Sequence, residues 1–320
     1  MRLLILFTLC VSVTFTEDIG HGVVIPGTNG NQGQIYWPRE HRSQVQTDNF
    51  HFDLTLNYPA VTWCHSLLVL SGGVNTDGYG VANISTFDPY KDNGTASVSG
   101  SMMNTRYGHS AVCLQPDRLH ICGGIGADGH GTAMCETCTL TKDSIGCKPA
   151  PPMPTDTIWP DWHKALMIDK NRILYMDYHA RAVEYNVNTG VWTRRNTMRH
   201  RMIMDVTPLS YGGANNDTVS QAIACFGCRG RPDQCRSNCD VYTVQSDIWE
   251  NVGNLQHVRF FFGLATVRGQ VLAFGGDYFS ERQLKSIEIY DMQTKKWTFS
   301  NDTLAVPARA WTSTLMVLNP

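Results

Sequence analysis

Short apolar runs recur along the chain at regular intervals, and three of them end in a glycine pair. These runs are LLVLSGG, which ends at Gly73, LHICGG, which ends at Gly124, and VLAFGG, which ends at Gly276. Two similar runs lie between them, ILYMD ending at Asp177 and AIACFG ending at Gly227. Successive end points are 51, 53, 50 and 49 residues apart. A self-similar period near fifty indicates a repeat architecture built from short strands.

The last three units also carry a tyrosine and a tryptophan seven residues apart: Tyr185 and Trp192, Tyr242 and Trp249, and Tyr290 and Trp297. A two-residue turn at 188–189 in the first of them places its tyrosine directly opposite its tryptophan on the next strand. Such a cross-strand pair contributes about 0.2–1 kcal/mol. We therefore predict three hairpins, each with an aromatic pair on one face.

A third mark is the strand before the glycine pair, as in Thr105–Val112 and Arg259–Gly263. Taken together, the three marks resemble the kelch repeat family over roughly residues 60–320. The resemblance implies an all-β fold, a kelch-type β-propeller of four-stranded blades. In that architecture a glycine pair ends a strand where the neighbouring sheet leaves no room for a side chain.

Some units depart from the family pattern. Met176-Asp177 and Phe226-Gly227-Cys228 replace the glycine pair in units three and four, while Phe87 and Cys138 occupy the first aromatic position in units one and two.

Five units are visible, and a ring of sheets must close to hide its edges. Residues 310–318 form the first strand of a further unit that has no continuation. Near the N-terminus, 22–27 resembles the glycine-pair strand, 34–37 the third strand and 50–54 the fourth. We predict six blades, the last one closed by one C-terminal and three N-terminal strands. The alternative is that the N-terminal segment is a disordered arm.

Composition fits a globular chain with room for one or two domains, since 42% of the 320 residues are hydrophobic and 17% are charged. The formal net charge is −2 and no charge run stands out. Nucleic acid and anionic membrane surfaces are therefore not expected as partners.

The first sixteen residues read as a secretory signal peptide, with Arg2 before an apolar run from Leu3 to Val13. The alternative is a buried N-terminal strand. This run is too short to span a bilayer, and no longer apolar run follows it. We expect a secreted, extracellular protein in which 17–320 is a single propeller domain and 17–60 supplies strands to the closing blade. Glycosylation sequons stand at Asn83, Asn93, Asn216 and Asn301.

Export also suits the cysteines, because loss of Cys10 with the signal peptide leaves ten for disulfides. A four-residue loop at 141–144 places Cys138 opposite Cys147, and we predict a disulfide there. Cys135 competes for either partner.

A second group of cysteines is spaced C-x2-C-x6-C-x3-C: Cys225, Cys228, Cys235 and Cys239. This spacing favours disulfides in an exported protein, with a four-thiolate zinc site as the alternative.

The architecture also resembles that of the radical copper oxidases related to galactose and glyoxal oxidases. In that family a tyrosine two residues after an arginine is cross-linked to a cysteine of the preceding blade, and a Tyr-His pair and a further histidine complete the copper site. Here Gly108 stands two residues after Arg106, so Cys64 lacks the linking tyrosine.

The remaining copper ligands are also missing from their expected places. Phe260-Phe261-Phe262 replaces the Tyr-His pair, and Trp311 stands where the last histidine is expected. Tyr178-His179 follows the core strand of its blade, so we interpret it as a loop pair. We predict no catalytic residues, no metal and no cofactor.

Four arginines fall near the start of an inner strand: Arg106, Arg201, Arg259 and Arg309. Symmetry would place them around one mouth of the channel, where guanidinium groups suit carboxylate, sulfate or sialic acid. His109 and His163 lie further along their strands and could line the same channel. The alternative is that each arginine forms a salt bridge within the propeller.

The sequence therefore favours a non-enzymatic binding or adhesion module for an extracellular protein or glycan, with an acidic ligand as one option. Two enzymatic alternatives stay open: a copper oxidase with a rearranged radical site acting on small alcohols, aldehydes or sugars, and a sugar mutarotase that uses the arginine ring.

Overall fold

The computed structural model describes four short terminal strands and most of the chain between them. The described residues are 21–25, 34–37, 42–45, 56–64, 67–87, 96–114, 117–212, 218–227, 235–267, 269–278, 282–305, 307 and 314–317. Every helix or strand assigned within these ranges is a β-strand. No described segment forms a helix that could cross a membrane.

The strands follow one another in groups of four. The N-terminal strands are β1 His21–Ile25, β2 Gln34–Trp37 and β3 Arg42–Val45. Units one and two contain β4 Ala60–Cys64, β5 Leu67–Ser71, β6 Asn83–Phe87, β7 Ala96–Ser101, β8 Ser110–Leu114, β9 Arg118–Cys122, β10 Cys135–Leu140 and β11 Ile145–Ala150. Units three and four contain β12 Lys164–Asp169, β13 Arg172–Met176, β14 Ala182–Asn186, β15 Val191–Arg195, β16 Ile203–Gly212, β17 Thr218–Phe226, β18 Asn238–Thr243 and β19 Ile248–Asn254. The remaining strands are β20 Gly263–Val267, β21 Gln270–Phe274, β22 Asp277–Tyr278, β23 Arg282–Gln283, β24 Ser286–Asp291, β25 Lys296–Thr303 and β26 Thr314–Val317.

Units three, four and five each form an antiparallel four-stranded sheet, with orders β12-β13-β14-β15, β16-β17-β18-β19 and β20-β21-β24-β25. Units one and two share one eight-stranded sheet, because the outer strands β7 and β11 meet at a single parallel pair, Gly100 and Ile145. The short strands β22 and β23 form a separate ribbon. This all-β arrangement fits a kelch-type β-propeller.

The two ends of the chain meet in one sheet of order β26-β1-β2-β3, where His21 pairs with Val317. This sheet combines one C-terminal with three N-terminal strands. Its last strand is Arg42–Val45, whereas the segment 50–54 that we assigned to that place lies outside the described residues. Arg42–Val45 takes the place because it continues the antiparallel ladder with Gln34–Trp37.

The first strands of the units lie side by side around a common axis. Contacts connect β4 with β8, β8 with β12, β12 with β16, β16 with β20, β20 with β26, and β26 with β4 again. The apolar core lies between neighbouring sheets: Leu174 and Met176 of unit three pack with Ala222 and Ala224 of unit four. Each sheet therefore buries its faces against the next.

The predicted aromatic hairpins are confirmed. Tyr185, Tyr242 and Tyr290 stand directly opposite Trp192, Trp249 and Trp297. Their ring centroids are 4.5, 4.6 and 5.2 Å apart, so each pair clasps the third and fourth strands of its sheet.

Four disulfides join described cysteines. Cys138–Cys147 confirms the predicted link across the unit-two hairpin, and the competing cysteine is bonded in Cys122–Cys135. Cys225–Cys239 confirms that its group forms disulfides rather than a four-thiolate zinc site, and Cys64–Cys113 joins the first strands of units one and two. Cys235 is also disulfide-bonded, while Cys228 lies outside the described residues. These bonds are consistent with an extracellular protein.

Candidate functional site

One end of the sheets is defined by a repeated backbone turn. Just before the first strand of each unit stands a residue in the left-handed region: Tyr58, Gly108, Trp162, Met202 and Phe261, with φ of 59°, 61°, 51°, 75° and 54°. A side chain makes this conformation costly by about 1–2 kcal/mol, so it persists only where the surrounding structure imposes it. We call this end of the molecule the entry end, because each chain segment enters its first strand there. Gly108 was the one sequence signal for this turn.

Hydrogen bonds tie neighbouring units together at the entry end. Gly108 N donates to Tyr58 O at 3.2 Å, and Trp162 N donates to Gly108 O at 3.1 Å. The first glycine of two pairs lies against the backbone that enters the next unit: a Cβ on Gly72 would lie 2.3 Å from Arg106 O, and one on Gly123 would lie 2.3 Å from Pro160 O. This confirms that the glycines leave room for the neighbouring unit.

Arg106 and Arg259 each stand two residues before the left-handed position, and both are buried. Arg106 pairs with Glu136 at 2.8 Å and donates to Gly123 O and Met134 O. Arg259 makes the same contacts with Glu288 at 2.8 Å, Gly275 O and Ser286 O. Burial lowers the pKa of both guanidinium groups, and the paired carboxylates oppose that shift. We call each set of contacts an Arg–Glu clasp; it joins the entry to the third strand.

The clasps match the internal salt bridge that we gave as the alternative to an arginine ring. The exposed fraction is 1% for Arg106 and 0% for Arg259, so neither guanidinium is open to solvent. Arg201 is exposed and lies one residue past the clasp position. His200 holds that position, with Nε2 3.8 Å from the buried Asp240. Arg309 lies outside the described residues.

His109 and His163 lie between units rather than at the surface. His109 Nε2 hydrogen-bonds Ser71 Oγ at 2.9 Å, and His163 Nε2 hydrogen-bonds Ser110 Oγ at 2.8 Å. Burial holds the pKa of His109 well below its usual value and lowers the pKa of His163 to about 3. Both rings are therefore neutral hydrogen-bonding groups within the packed interior.

Two groups of described residues combine metal-ligand types: His120 with Cys122 and Cys135, and Glu136 with Cys138 and Cys147. In both groups the cysteines are paired in disulfides, and the thiolate is the form that ligates metal. Cys64, at the place of the cross-linked cysteine of the copper oxidases, is likewise bonded to Cys113. Tyr178-His179 lies in a turn after β13, as expected for a loop pair.

Exposed aromatic side chains are the feature of the entry end that sequence reasoning missed. Tyr79, Trp159 and Tyr278 are 72%, 47% and 41% exposed. The loops of Tyr79 and Tyr278 adjoin the entry turns, because Val74 forms an isolated β-bridge with Asn57 and Asp277 forms one with Phe260. Aromatic residues are enriched at protein interfaces and among their hot spots. The sequence signal was the turn-rich loop 75–80 and the two tryptophans within 159–162.

A half-buried aromatic cluster lies at the entry turns themselves. Trp162 lies 5.1 Å from Tyr58 and 6.4 Å from Tyr107 between ring centroids. We use the name aromatic face for the cluster together with the three exposed rings. Of the sequons, Asn83 and Asn301 are exposed on strands, and Asn93 and Asn216 lie outside the described residues.

The fold is that of a β-propeller-type repeat protein, with exposed aromatic rings at the entry end. A family model described as Kelch motif matches residues 259–302, the unit that runs from the Arg259 clasp to the outer strand β25. A comparison with curated proteins finds no match.

Proposed function

We propose that this chain is a secreted, six-bladed propeller that binds an extracellular macromolecule through its aromatic face, in the manner of a non-enzymatic adhesion module. In this proposal 1–16 is removed and 17–320 is the single domain. The cyclic contacts of the six first strands support the blade number, and the disulfides support export.

The exposed aromatic face carries the proposal. Arg106 and Arg259 are buried in the two Arg–Glu clasps, whereas Tyr79, Trp159 and Tyr278 expose large apolar surface to solvent. Kelch motifs occur in propellers that mediate protein interactions, and exposed rings of this kind supply binding energy at low entropic cost.

The test is binding of purified, oxidised protein to cell-derived extracellular matrix. We expect Tyr79→Ala, Trp159→Ala and Tyr278→Ala together to lower binding by at least about tenfold. The matched control replaces three similarly exposed apolar residues of outer strands and turns, Val191→Ala, Ile248→Ala and Met292→Ala. Equal binding by the two triple variants, or no binding by the parent protein, would refute the proposal.

The enzymatic alternatives lack a supporting observation among the described residues. The disulfide at Cys64 removes the sulfur that a radical copper site would need, and the clasps occupy two arginines of the ring that a mutarotase would use. Hydrogen peroxide release from copper-supplied protein with galactose or glyoxal would overturn this conclusion.

A further inference from the structure

We infer that the aromatic face contains, between units three and four, a site for an acidic glycan, a saccharide that carries uronate or sulfate groups. The inference rests on the proposed function and names its ligand class. The site, which we call the Trp159 patch, comprises Trp159, Tyr178, His179, Arg181, Arg201 and Arg236.

A buried carboxylate holds the first half of the patch in place. Asp177, which stands where other units have glycine, is 0% exposed. Its carboxylate accepts hydrogen bonds from the backbone N of Trp159 at 2.7 Å and of His179 at 2.8 Å, and from Arg181 Nε at 2.7 Å. These bonds fix two loops against each other and neutralise the carboxylate, so the patch is preorganised.

The fixed loops present an indole beside cationic and polar groups. Trp159 is 47% exposed, with the His179 ring centroid at 5.4 Å and the guanidinium carbon of Arg181 6.0 Å from its ring. Arg181 uses Nε internally, and no described residue accepts a bond from its two terminal nitrogens. An exposed indole packs against the apolar CH face of a pyranose, and a guanidinium pairs with carboxylate or sulfate.

Backbone hydrogen bonds connect the segments of two further arginines to the His179 turn in series. Met202 N donates to Tyr178 O at 2.8 Å, which places Arg201 next to the His179 turn. Gly227 N donates to Met202 O, and Arg236 N donates to Gly227 O. Both arginines are exposed, and no described acidic side chain forms an ion pair with either of them.

The outward polar groups of the patch are thus mainly donors. The chain as a whole has a formal net charge of −2, so attraction of an anion must be local. A ligand that offers clustered acceptor oxygens together with an apolar ring face complements both the arginines and the indole. An acidic peptide offers the oxygens without the pyranose face, and it serves as the competing outcome below.

The experiment measures binding of a heparin-derived hexasaccharide to the oxidised full-length secreted protein. We expect binding that weakens with added salt, a loss of about tenfold in Arg201→Ser/Arg236→Ser, and a loss of about fivefold in Trp159→Ala. The matched control is Arg118→Ser/Arg194→Ser, which removes two exposed arginines of other strands. Unchanged melting temperatures establish that the variants are folded.

Three results would overturn the inference: no binding by the parent protein, equal losses in the two double-arginine variants, or polyglutamate binding more tightly than the hexasaccharide and without dependence on Trp159. Matrix binding by an Arg201→Ser/Arg236→Ser variant separates this inference from the proposed function. If one of these three results is obtained while matrix binding persists there and is lost only with the three aromatic residues, the glycan site is wrong and the interaction face stands.

Discussion

At the scale of single residues, buried charges and imidazoles fasten the units. Each Arg–Glu clasp pairs one guanidinium with a carboxylate and two backbone carbonyls of the same unit. Such an ion pair contributes little more to the free energy of unfolding than a well-packed apolar pair would. Removal of one partner, however, leaves an uncompensated buried charge.

Arg106→Met should therefore lower the free energy of unfolding by about 3–5 kcal/mol, because Glu136 stays buried without its partner. Arg106→Met/Glu136→Leu should recover most of that loss. Denaturant unfolding at pH 7 measures both, and the exposed Arg201→Met serves as the control with an expected effect within about 0.5 kcal/mol. A double variant that is less stable than Arg106→Met would contradict the clasp.

The buried histidines should make the protein sensitive to acid. Burial lowers the pKa of His163 to about 3, below its value of about 6.5 in the unfolded chain. Between these two values the unfolded state binds the additional proton, so stability falls as pH decreases, by about 1.4 kcal/mol per pH unit. His109 acts in the same direction.

His163→Gln keeps a hydrogen-bonding group near Ser110 and removes the titration. Between pH 6 and 5, we expect the slope of the unfolding free energy against pH to be smaller in this variant by about 1.4 kcal/mol per pH unit, which corresponds to one proton. His130→Gln, at an exposed loop position, is the control. Identical slopes in His163→Gln and the parent would show that His163 is protonated in the folded state.

At the scale of the strand and turn, glycines serve two different purposes. Gly123 and Gly129 both adopt positive φ, 66° and 76°. A Cβ on Gly123 would lie 2.3 Å from Pro160 O, whereas nothing lies within 4 Å of one on Gly129. The first glycine is required by the neighbouring unit, and the second by the turn alone.

Gly123→Ala should consequently destabilise the protein by well over 2 kcal/mol, since it combines backbone strain with a collision against fixed backbone. Gly129→Ala carries the strain alone, about 1–2 kcal/mol. Thermal unfolding of the two variants under identical conditions compares them. Similar destabilisation of the two variants would mean that the backbone of the neighbouring unit moves away from the added methyl group at little cost in free energy.

At the scale of the whole molecule, stability depends on joining the two ends of the chain. Strand β26 pairs with β1 and contacts both β4 and β20, so it completes the circle of first strands. An unpaired β1 would expose a free edge.

Deletion of residues 314–320 should therefore lower the melting temperature markedly and promote association between chains, because the edge of β1 and the flanks of β4 and β20 become exposed. Calorimetry with light scattering measures both effects. Deleting 318–320 leaves β26 intact and is the control. Equal melting temperatures for the two truncations would show that β26 does not close the ring.

Features that depend on neighbours along the chain could be predicted from the sequence. The period near fifty, the three Tyr–Trp hairpins and Cys138–Cys147 follow from turn length and the two-residue alternation of a strand. These contacts form within a single hairpin, so spacing alone fixes which side chains face each other.

Features that depend on packing between units could not be predicted in this way. His200 rather than Arg201 lies at the clasp position, which is a difference of one residue. Arg106 is buried and pairs with Glu136. The Trp159 patch forms because Asp177 binds a loop eighteen residues away along the chain. Such contacts depend on the exact register at which one sheet meets the next, and spacing within one unit does not contain that information.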